Sequence, residues 1–316
     1  IGSSPAASSA VTPSTPPSPS HPSTQPTLYE KCRDVLDRWR SSGTGGPPRA
    51  DVGPLLQAYY RHVSTDDVGD RSAEELYGAL VSHYRTADPR PQGTARVHVF
   101  TPTLAEHGWS AGGHSVVEVV TDDMPFLVDS VSMVAAAHAE IHAIIHPVVP
   151  VVRSAAGVLE SIGSGATTES IMRFEIDRID DTELDALKAH VETALADVRE
   201  AVVDWRAMRG KMIEVADDLG KRSLPYTAEE VREATEFLRW VADDHFTFMG
   251  YREYEVAADA GDEVLKTVEG SGLGILRAAE RSLAPRSLRT LVASELPRSG
   301  STDAIILTKT NARSPI

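Results

Sequence analysis

This sequence of 316 residues has one cysteine, fewer basic than acidic residues and no long apolar run. The single cysteine, Cys32, excludes a disulfide framework within the chain and is typical of a reducing compartment, so a cytoplasmic location is predicted. The formal net charge of −15 argues against nucleic acid or an anionic membrane surface as a partner. Apolar runs stay well short of the roughly 20 residues of a membrane span, so no membrane partner is predicted.

Motifs for catalysis and cofactor binding are also missing. Gly270, Gly272 and Gly274 form a glycine cluster, but a dinucleotide fingerprint requires glycine at the position of Ile275. The cluster also lacks the lysine of a P-loop, and the chain has no Gly-x-Ser-x-Gly nucleophile motif. The sequence therefore predicts no catalytic residue and no cofactor site in this chain, and the glycines are interpreted as a turn.

Histidines and acids give no clear metal or acid–base pattern. His138, His142 and His146 are spaced by four residues, as ligands on one helix would be, but the hydrophobic pattern places His142 and His146 in a strand. We therefore predict packed or surface histidines and no metal. Glu175 and Asp177 are interpreted as the polar side of a strand rather than as paired acid and base.

The first ninety residues divide into a tail and a helical segment. Residues 1–27 are mostly Ser, Pro, Thr and Ala with almost no charge, so they are predicted to be disordered. Residues 28–90 carry apolar residues at helical spacing, and Ser72 with Glu75 predicts a capping box. The chain begins with Ile and stops just after a strand-like run, which indicates a fragment.

A valine-rich run opens the central part of the chain. Ser115–Val120 is typical of a buried strand. Thr121, Asp122 and Asp123 offer capping side chains ahead of Pro125, which suits a first helical turn. Apolar residues at spacings of three and four then predict an amphipathic helix.

The rest of the central part alternates between strand and helix patterns. Ile141–Val152 reads as a strand, a bend and a second strand, and Ser170–Arg178 alternates like a half-exposed strand. Asp181–Met208 reads as a long helix that continues to about Gly220, with breaks near Gly210. Residues 95–222 are therefore predicted to form a ferredoxin-like βαββα sandwich, and the fold class is α/β (α+β).

A second unit is predicted over residues 225–316. Thr227 caps a helix, and Phe246–Val256, Val264–Val268 and Ala304–Lys309 read as strands. This unit is a helix followed by a mainly antiparallel sheet, and it is predicted to be truncated.

Several stretches are long and unusual: Met124-Pro-Phe-Leu-Val-Asp-Ser130, Ile145-His-Pro-Val148, Glu169-Ser-Ile-Met-Arg-Phe-Glu-Ile-Asp177, Leu238-Arg-Trp-Val-Ala-Asp-Asp-His-Phe-Thr-Phe-Met-Gly-Tyr251, Gly270-Ser-Gly-Leu-Gly274 and Leu307-Thr-Lys-Thr-Asn311. Through them the chain, from about Tyr29 to its end, resembles the N-terminal part of the large NAD-dependent glutamate dehydrogenases of bacteria. The resemblance implies an ACT-type regulatory domain followed by a PAS-like module. It also implies a parent enzyme that converts L-glutamate to 2-oxoglutarate and ammonia with NAD, whose catalytic domain lies beyond this chain.

The resemblance points to one candidate site, the loop Asp122, Asp123, Met124, Pro125 and Phe126. In ACT domains the turn after the first strand is the usual place for a small amino-acid effector, whose carboxylate the helix N-terminus can bind. The family pattern has glycine where Phe126 stands, so the phenyl ring would fill the ligand volume and remove a close backbone approach. A purely structural helix start is the alternative interpretation.

The resemblance also implies a homo-oligomer. ACT-type domains commonly associate through their sheets, and helices of the sandwich cover only one sheet face. The N-terminal helices, the second unit or another copy of the domain are the candidates for the other face. Ile141–Val152 is predicted as an edge used in self-association. The alternative function is a free-standing amino-acid sensor or protein-interaction module; the reading frame beyond Ile316 would distinguish the two.

Overall fold

The computed structural model describes residues 52–61, 71–221, 226–259 and 262–277, together with residues 32, 33, 35 and 37. The predictions for the tail 1–27 and for the strand Ala304–Lys309 lie outside these residues. In the described parts of the chain, no helix is both long and apolar enough to cross a membrane.

The helices and strands of the described residues, in chain order, are α1 (Val52–Tyr59), α2 (Ala73–Ala87), β1 (Arg96–Phe100), α3 (Leu104–His107), β2 (Ser115–Asp122), α4 (Leu127–Ala136), β3 (Ile141–Ile145), β4 (Val148–Arg153), β5 (Leu159–Ile162), β6 (Thr167–Ile176), α5 (Leu184–Leu219), α6 (Ala228–Trp240), β7 (Gly250–Tyr251), β8 (Tyr254–Asp259), β9 (Asp262–Thr267) and β10 (Leu273–Gly274). Val241–His245 forms a π-type turn after α6.

Six of these strands form one antiparallel sheet. Its order is β1-β2-β6-β4-β5, and β3 lies beside β6 next to β4. Helix α4 therefore connects β2 to strands on the far side of β6, which is the split βαβ arrangement of ferredoxin-like folds. This mixed α/β sheet is consistent with the predicted ACT-type domain. The structure adds β5, which the sequence did not predict.

One face of the sheet packs against α4 and α5. The buried residues of this apolar face are Val97, Val99, Val117, Val119, Met172, Phe174 and Ile176 from the strands, and Leu127, Val131, Ala135, Leu187, Val191, Leu195 and Val198 from the helices. Burying a side chain of this size contributes roughly 1.5–3 kcal/mol. The apolar residues of α5 recur at helical spacing, so they form one stripe along its first half.

The opposite face packs against α1 and α2. Leu55, Leu56 and Tyr59 of α1 and Leu76 and Leu80 of α2 are buried against it. Their partners on the strands are Val120, Ile145, Val149, Val151, Leu159, Ile162 and Ile171. Of the three candidates named for this face, the N-terminal helices thus provide the cover, and both faces of the sheet are covered within one chain.

Strand β6 corrects the prediction of a half-exposed strand. Its polar side is buried: Glu169 and Arg173 are each 1% exposed and Glu175 is 2% exposed. The alternation of polar and apolar residues is real, but the polar side faces α1 and α2 instead of solvent. Opposite charges that pair with one another make this burial tolerable.

Two helix boundaries also differ from the prediction. Helix α4 begins at Leu127 instead of Pro125, and its N-cap is Phe126, without a side-chain cap. The predicted capping residue Asp122 is the last residue of β2, where its carboxylate binds arginines instead. Helix α5 runs through Gly210 unbroken for 36 residues, because the cost of one glycine in a helix, about 1 kcal/mol, is small beside its packing.

The unit after α5 contains α6, whose predicted N-cap Thr227 is confirmed; Glu230 completes a capping box with it. The predicted strand Phe246–Val256 is instead two short strands, because β7 pairs with β10 whereas β8 pairs with β9. Helix α5 contacts both α6 and β10. The PAS-like character of this unit remains a prediction.

Candidate effector-binding region

The predicted effector loop connects β2 to α4. Asp122 ends β2, and the main-chain N–H of Asp123 donates to the carbonyl oxygen of Thr168 at 3.2 Å. At the other end of the loop, the first turn of α4 receives no hydrogen bond from an N-cap side chain. Free N–H groups at a helix N-terminus attract carboxylates. The N-cap residue of α4 thus provides no side chain that would compete with an anion for these N–H groups, although Asp129 places a carboxylate in the same turn.

Phe126 holds an unusual backbone conformation, with φ at 70° and ψ at 2°. Residues with a Cβ adopt this left-handed conformation at a cost of roughly 1–2 kcal/mol, whereas glycine adopts it freely. The loop therefore keeps the backbone that glycine would give, although phenylalanine stands there. The residue is 49% exposed, so its ring is not packed into the core; the expectation that the ring fills a ligand volume stays a prediction.

A group of ion pairs, the Arg90 cluster, fixes the start of the loop. It consists of Arg90, Asp122, Arg153, Glu169 and Arg199. Nη2 of Arg90 donates to Asp122 Oδ1 at 2.9 Å and to Glu169 Oε1 at 2.5 Å. Nη1 of Arg199, from α5, donates to Asp122 Oδ2 at 2.8 Å. Arg153, from β4, donates to both oxygens of Glu169 at 2.5 and 2.7 Å.

The Arg90 cluster leaves little of Asp122 for a ligand. The main-chain N–H of Gly93 also donates to Oδ2 of Asp122, at 2.9 Å, so both carboxylate oxygens already have partners. Burial alone would raise the pKa of Asp122, but hydrogen bonds from Arg199 and Arg90 outweigh it and hold this pKa below its ordinary value. Three arginines face two carboxylates, so the cluster is net positive. Asp122 therefore anchors the start of the loop.

A second group, the Arg173 cluster, lies under α2 on the same sheet face. It consists of Arg71, Glu118, Arg173 and Glu175. Nη1 of Arg173 donates to Glu118 at 3.0 Å and its Nε donates to Glu175 at 3.1 Å. Arg71 binds both oxygens of Glu175 at 2.7 and 2.6 Å. Burial would raise the pKa of Glu118, but His98, His83 and Arg173 outweigh it and lower this pKa.

The sequence contains a partial signal for the Arg173 cluster. Glu118 is a lone charge within a run of valines, and Arg173 lies directly opposite it in the register of β2 and β6. A charge in an apolar strand with an opposite charge across the ladder indicates a buried pair. Without the register, this pairing could not be found.

A groove of about 910 Å³ runs between α2 and β1 beside the Arg173 cluster. Ser82, Arg85, His98 and Trp109 are among its lining residues. Ser82 also donates to Glu118 at 3.1 Å, so the wall of the groove contacts the buried ion pairs. Ligand pockets in proteins commonly measure about 300–1,000 Å³. The groove has the size of a small-molecule site, and the sequence did not indicate it.

Other sequence candidates have separate partners. Nε2 of His138 lies 3.0 Å from Nδ1 of His190, His142 binds Asp177, and His146 binds Ser170. The structure thus does not bring the three histidines together. In the glycine cluster, the N–H of Gly274 donates to Asp204 of α5 at 2.8 Å. Gly270 lies in a turn, as predicted, whereas Gly274 belongs to the short strand β10, which packs against α5.

Comparison with known proteins gives consistent similarities. Residues 55–191 match the family model described as glutamate dehydrogenase, ACT1 domain, a range that includes most of α1 and all of α2. The chain is 35% identical over 242 residues to an NAD-specific glutamate dehydrogenase of Pseudomonas aeruginosa, covering 74% of this chain and 15% of that protein. A second such enzyme, from Halomonas elongata, is 35% identical over 259 residues, covering 79% and 16%. A third, from Mycobacterium tuberculosis, is 28% identical over 210 residues, covering 63% and 12%. The chain thus spans about 15% of the length of the first of these relatives.

Proposed function

Because residues 55–191 belong to the family of glutamate dehydrogenase ACT1 domains, we propose that this chain is a regulatory and assembly region of an NAD-dependent glutamate dehydrogenase. The parent reaction is the oxidative deamination of L-glutamate to 2-oxoglutarate and ammonia, with hydride passing to NAD. The family match carries this proposal, and the similarity to NAD-specific glutamate dehydrogenases supports it. The role assigned to this chain is control of the parent enzyme in the cytoplasm.

We propose that the chemistry belongs to other parts of the parent protein. The glycine cluster of Gly270 to Gly274 lacks the dinucleotide pattern, and in the structure it leads from a turn into the short strand β10, which packs on α5. The purified chain should therefore form no NADH from glutamate and NAD, as measured by absorbance. Glutamate-dependent NADH formation by this chain would overturn the proposal of a purely regulatory role.

The loop from Asp122 to Phe126 is proposed to bind a small amino acid. Its carboxylate would bind the N–H groups in the first turn of α4, which have no side-chain cap, and the net positive Arg90 cluster nearby would favour the same charge. Asp122 positions the loop and does not contact the effector carboxylate. Asp123, Met124, Pro125 and Phe126 would surround the rest of the ligand.

Phe126 gives a matched test of effector binding. Asp and Asn both tolerate the left-handed conformation and have nearly the same size, but only Asp adds a negative charge at the α4 N-terminus. A panel of L-amino acids is titrated into the chain and followed by calorimetry. An amino acid that binds the wild type should bind Phe126→Asp several-fold more weakly than it binds Phe126→Asn. Equal affinity for both variants, or no binding of any amino acid, would reject this site.

Self-association is proposed to use the free edge of β3. Helices cover both faces of the sheet, so of the surface predicted for assembly only the edge remains. Among the described strands β3 pairs only with β6. Ile144 of β3 is 43% exposed. Pro147 and Pro150 limit open-ended strand addition and favour a closed partner. Ile144→Asp should lower the molar mass measured by light scattering, because an unpaired charge in an interface is costly. An unchanged mass in a folded variant would mean that this edge has no role in assembly.

A further inference from the structure

Three elements of the sheet meet at one end, around Ile176. Ser115, the first residue of β2, is paired with Ile176 of β6, and Ile141, the first residue of β3, is paired with Ile176 from the other side. His114 immediately precedes β2, and Asp177 immediately follows β6. The register therefore brings His114 and Asp177 together just beyond the last ladder pair.

A β-bulge adds a third side chain to this end of the sheet. Ile141 is paired with Ile176 but Ala143 is paired with Glu175, so His142 is an extra residue in β3. A bulge redirects the side chain of the extra residue and bends the strand, and bulges occur often beside functional sites. The redirected imidazole of His142 forms a hydrogen bond with Asp177, with Nε2 and Oδ1 2.7 Å apart.

The three side chains converge on one point. One ligand atom from each of His114, His142 and Asp177 lies within 4.8 Å of the other two, and the two imidazole centroids are 4.4 Å apart. Nδ1 of His114 lies 2.9 Å from the carbonyl oxygen of Ala111, which can only accept a hydrogen bond. The proton of a neutral His114 is therefore on Nδ1, and Nε2 carries the free lone pair. Metal-binding histidines typically donate the N–H of the ring nitrogen that does not bind the metal to such an acceptor.

We propose that His114, His142 and Asp177 bind a divalent transition-metal ion, and that zinc is the ion that suits them. Two imidazoles and one carboxylate are borderline ligands that favour zinc over magnesium or calcium, which prefer oxygen. Zinc–ligand bonds of about 2.0–2.2 Å place the atoms of a tetrahedral site about 3.3–3.6 Å apart. To reach this spacing, Nε2 of His142 and Oδ1 of Asp177, now 2.7 Å apart, need to separate slightly to admit the ion. His114, whose ligand atom lies within 4.8 Å of theirs, needs only a small side-chain adjustment. The side chains of His142 and Asp177 are 37% and 57% exposed, so they are free to make this movement.

Three protein ligands leave one tetrahedral position for water or for another ligand from outside the chain. The bound ion connects the start of β2, the edge strand β3 and the end of β6. It therefore pins β3, which pairs only with β6 among the described strands, to the centre of the sheet. This site is separate from the loop of Asp122 to Phe126, which follows the opposite end of β2, and its test is independent of the proposed regulatory function.

Zinc and cobalt titrations of the full chain test the proposal. The protein is first treated with a chelator, and zinc affinity is then measured by competition with a chromophoric chelator. One zinc per chain is expected, and cobalt should give the visible absorption of a tetrahedral site containing nitrogen and oxygen ligands. His142→Ala and Asp177→Asn should each weaken zinc binding by at least about 10–100-fold, the loss known for weaker perturbations of metal sites.

His190→Ala is the matched control. It also removes an exposed histidine from an imidazole pair, with His138, but it leaves the three proposed ligands intact. Its zinc affinity should equal that of the wild type, and circular dichroism of the metal-free variants should show unchanged folding. Absence of zinc binding by the wild type, retained binding in both His142→Ala and Asp177→Asn, or a loss confined to His190→Ala would each overturn the proposal.

Discussion

The two faces of the central sheet have opposite chemistry although they share the same strands. The face under α4 and α5 buries a continuous apolar cluster. The face under α1 and α2 buries Glu118, Glu169, Arg173 and Glu175 among its apolar residues. On β6, consecutive residues alternate between the two. The comparison shows that alternation of polar and apolar residues identifies the two faces of a strand but does not tell whether either face is exposed to solvent.

The energetics of the two faces should differ accordingly. On the apolar face, neighbouring side chains can be exchanged for others of similar volume at small cost. On the charged face each ion depends on its partner, because a buried charge left unpaired costs several kcal/mol. Substitutions on the two faces test this difference, in order of decreasing expected effect.

Arg173→Met should have the largest effect. It leaves the buried carboxylate of Glu118 without its arginine, and the free energy of unfolding should fall by about 3–5 kcal/mol, as measured by urea denaturation. Met172→Leu is the control, because the adjacent residue faces the apolar core and conserves volume; its expected cost is below about 1.5 kcal/mol. Similar losses in the free energy of unfolding for the two variants would mean that the two faces do not differ in their tolerance of substitution.

Glu169→Gln should change how stability depends on pH. Burial would raise the pKa of Glu169, but hydrogen bonds from Arg153 and Arg90 outweigh it and hold this pKa below its ordinary value. The resulting stability is present above the unfolded-state pKa of about 4.3 and is lost as pH falls through the folded-state pKa. At about pH 7 the variant should be less stable by about 1–3 kcal/mol, the cost of leaving buried donors unsatisfied.

The acid limb of the same experiment provides the sharper readout. Between about pH 5 and 3 the unfolding free energy of Glu169→Gln should fall less steeply than that of the wild type, since one linked carboxylate is gone. Met172→Leu should keep the wild-type slope. Parallel curves for the wild type and Glu169→Gln would show that the ion pairs of Glu169 contribute no pH-dependent stability.

Two helical glycines complete the series, and the second of them has the smallest expected effect. A Cβ at Gly78 in α2 would overlap the ring of Trp109, so Gly78→Ala should cost about 1–3 kcal/mol. Gly210 in α5 has open space beside it, with nothing within 4 Å of an added Cβ, and Gly210→Ala should stabilise by about 0.5–1 kcal/mol. Thermal or urea unfolding measures both. Equal effects of the same sign would mean that contact with Trp109 does not decide the outcome at Gly78.

The sequence predicted the elements of the sheet better than their surroundings. The valine run of β2, the two strands around Pro147 and the length of α5 follow from periodicity and β-branched composition. Burial of Glu118 and Arg173 depends on strand register and on helices far away in sequence, which periodicity does not contain. The same limit applies to the groove beside α2 and to the meeting of His114 with Asp177, because each joins residues that are distant along the chain.

The candidate loop was located by resemblance, and its conformation followed in part from chemistry. A glycine-like backbone at Phe126 agrees with the family pattern, but the missing side-chain cap on α4 and the engagement of Asp122 by Arg90 and Arg199 required coordinates. Asp122 illustrates the reason: capping and ion pairing compete for the same carboxylate. Ion pairing prevails here because of two arginines that lie 32 and 77 residues away along the chain.

Helix α5 has a consequence for how the molecule can be divided. Its 36 residues extend about 54 Å at about 1.5 Å per residue. Leu187 and Val191 near its start are in the sheet core, whereas Asp204 binds Gly274 and Arg277 of the following unit. A cut at the predicted boundary near residue 222 would leave the downstream piece without these contacts. Amide-hydrogen exchange should accordingly be slow along the whole length of α5. Removing either unit should speed exchange in the part of α5 that packs against it.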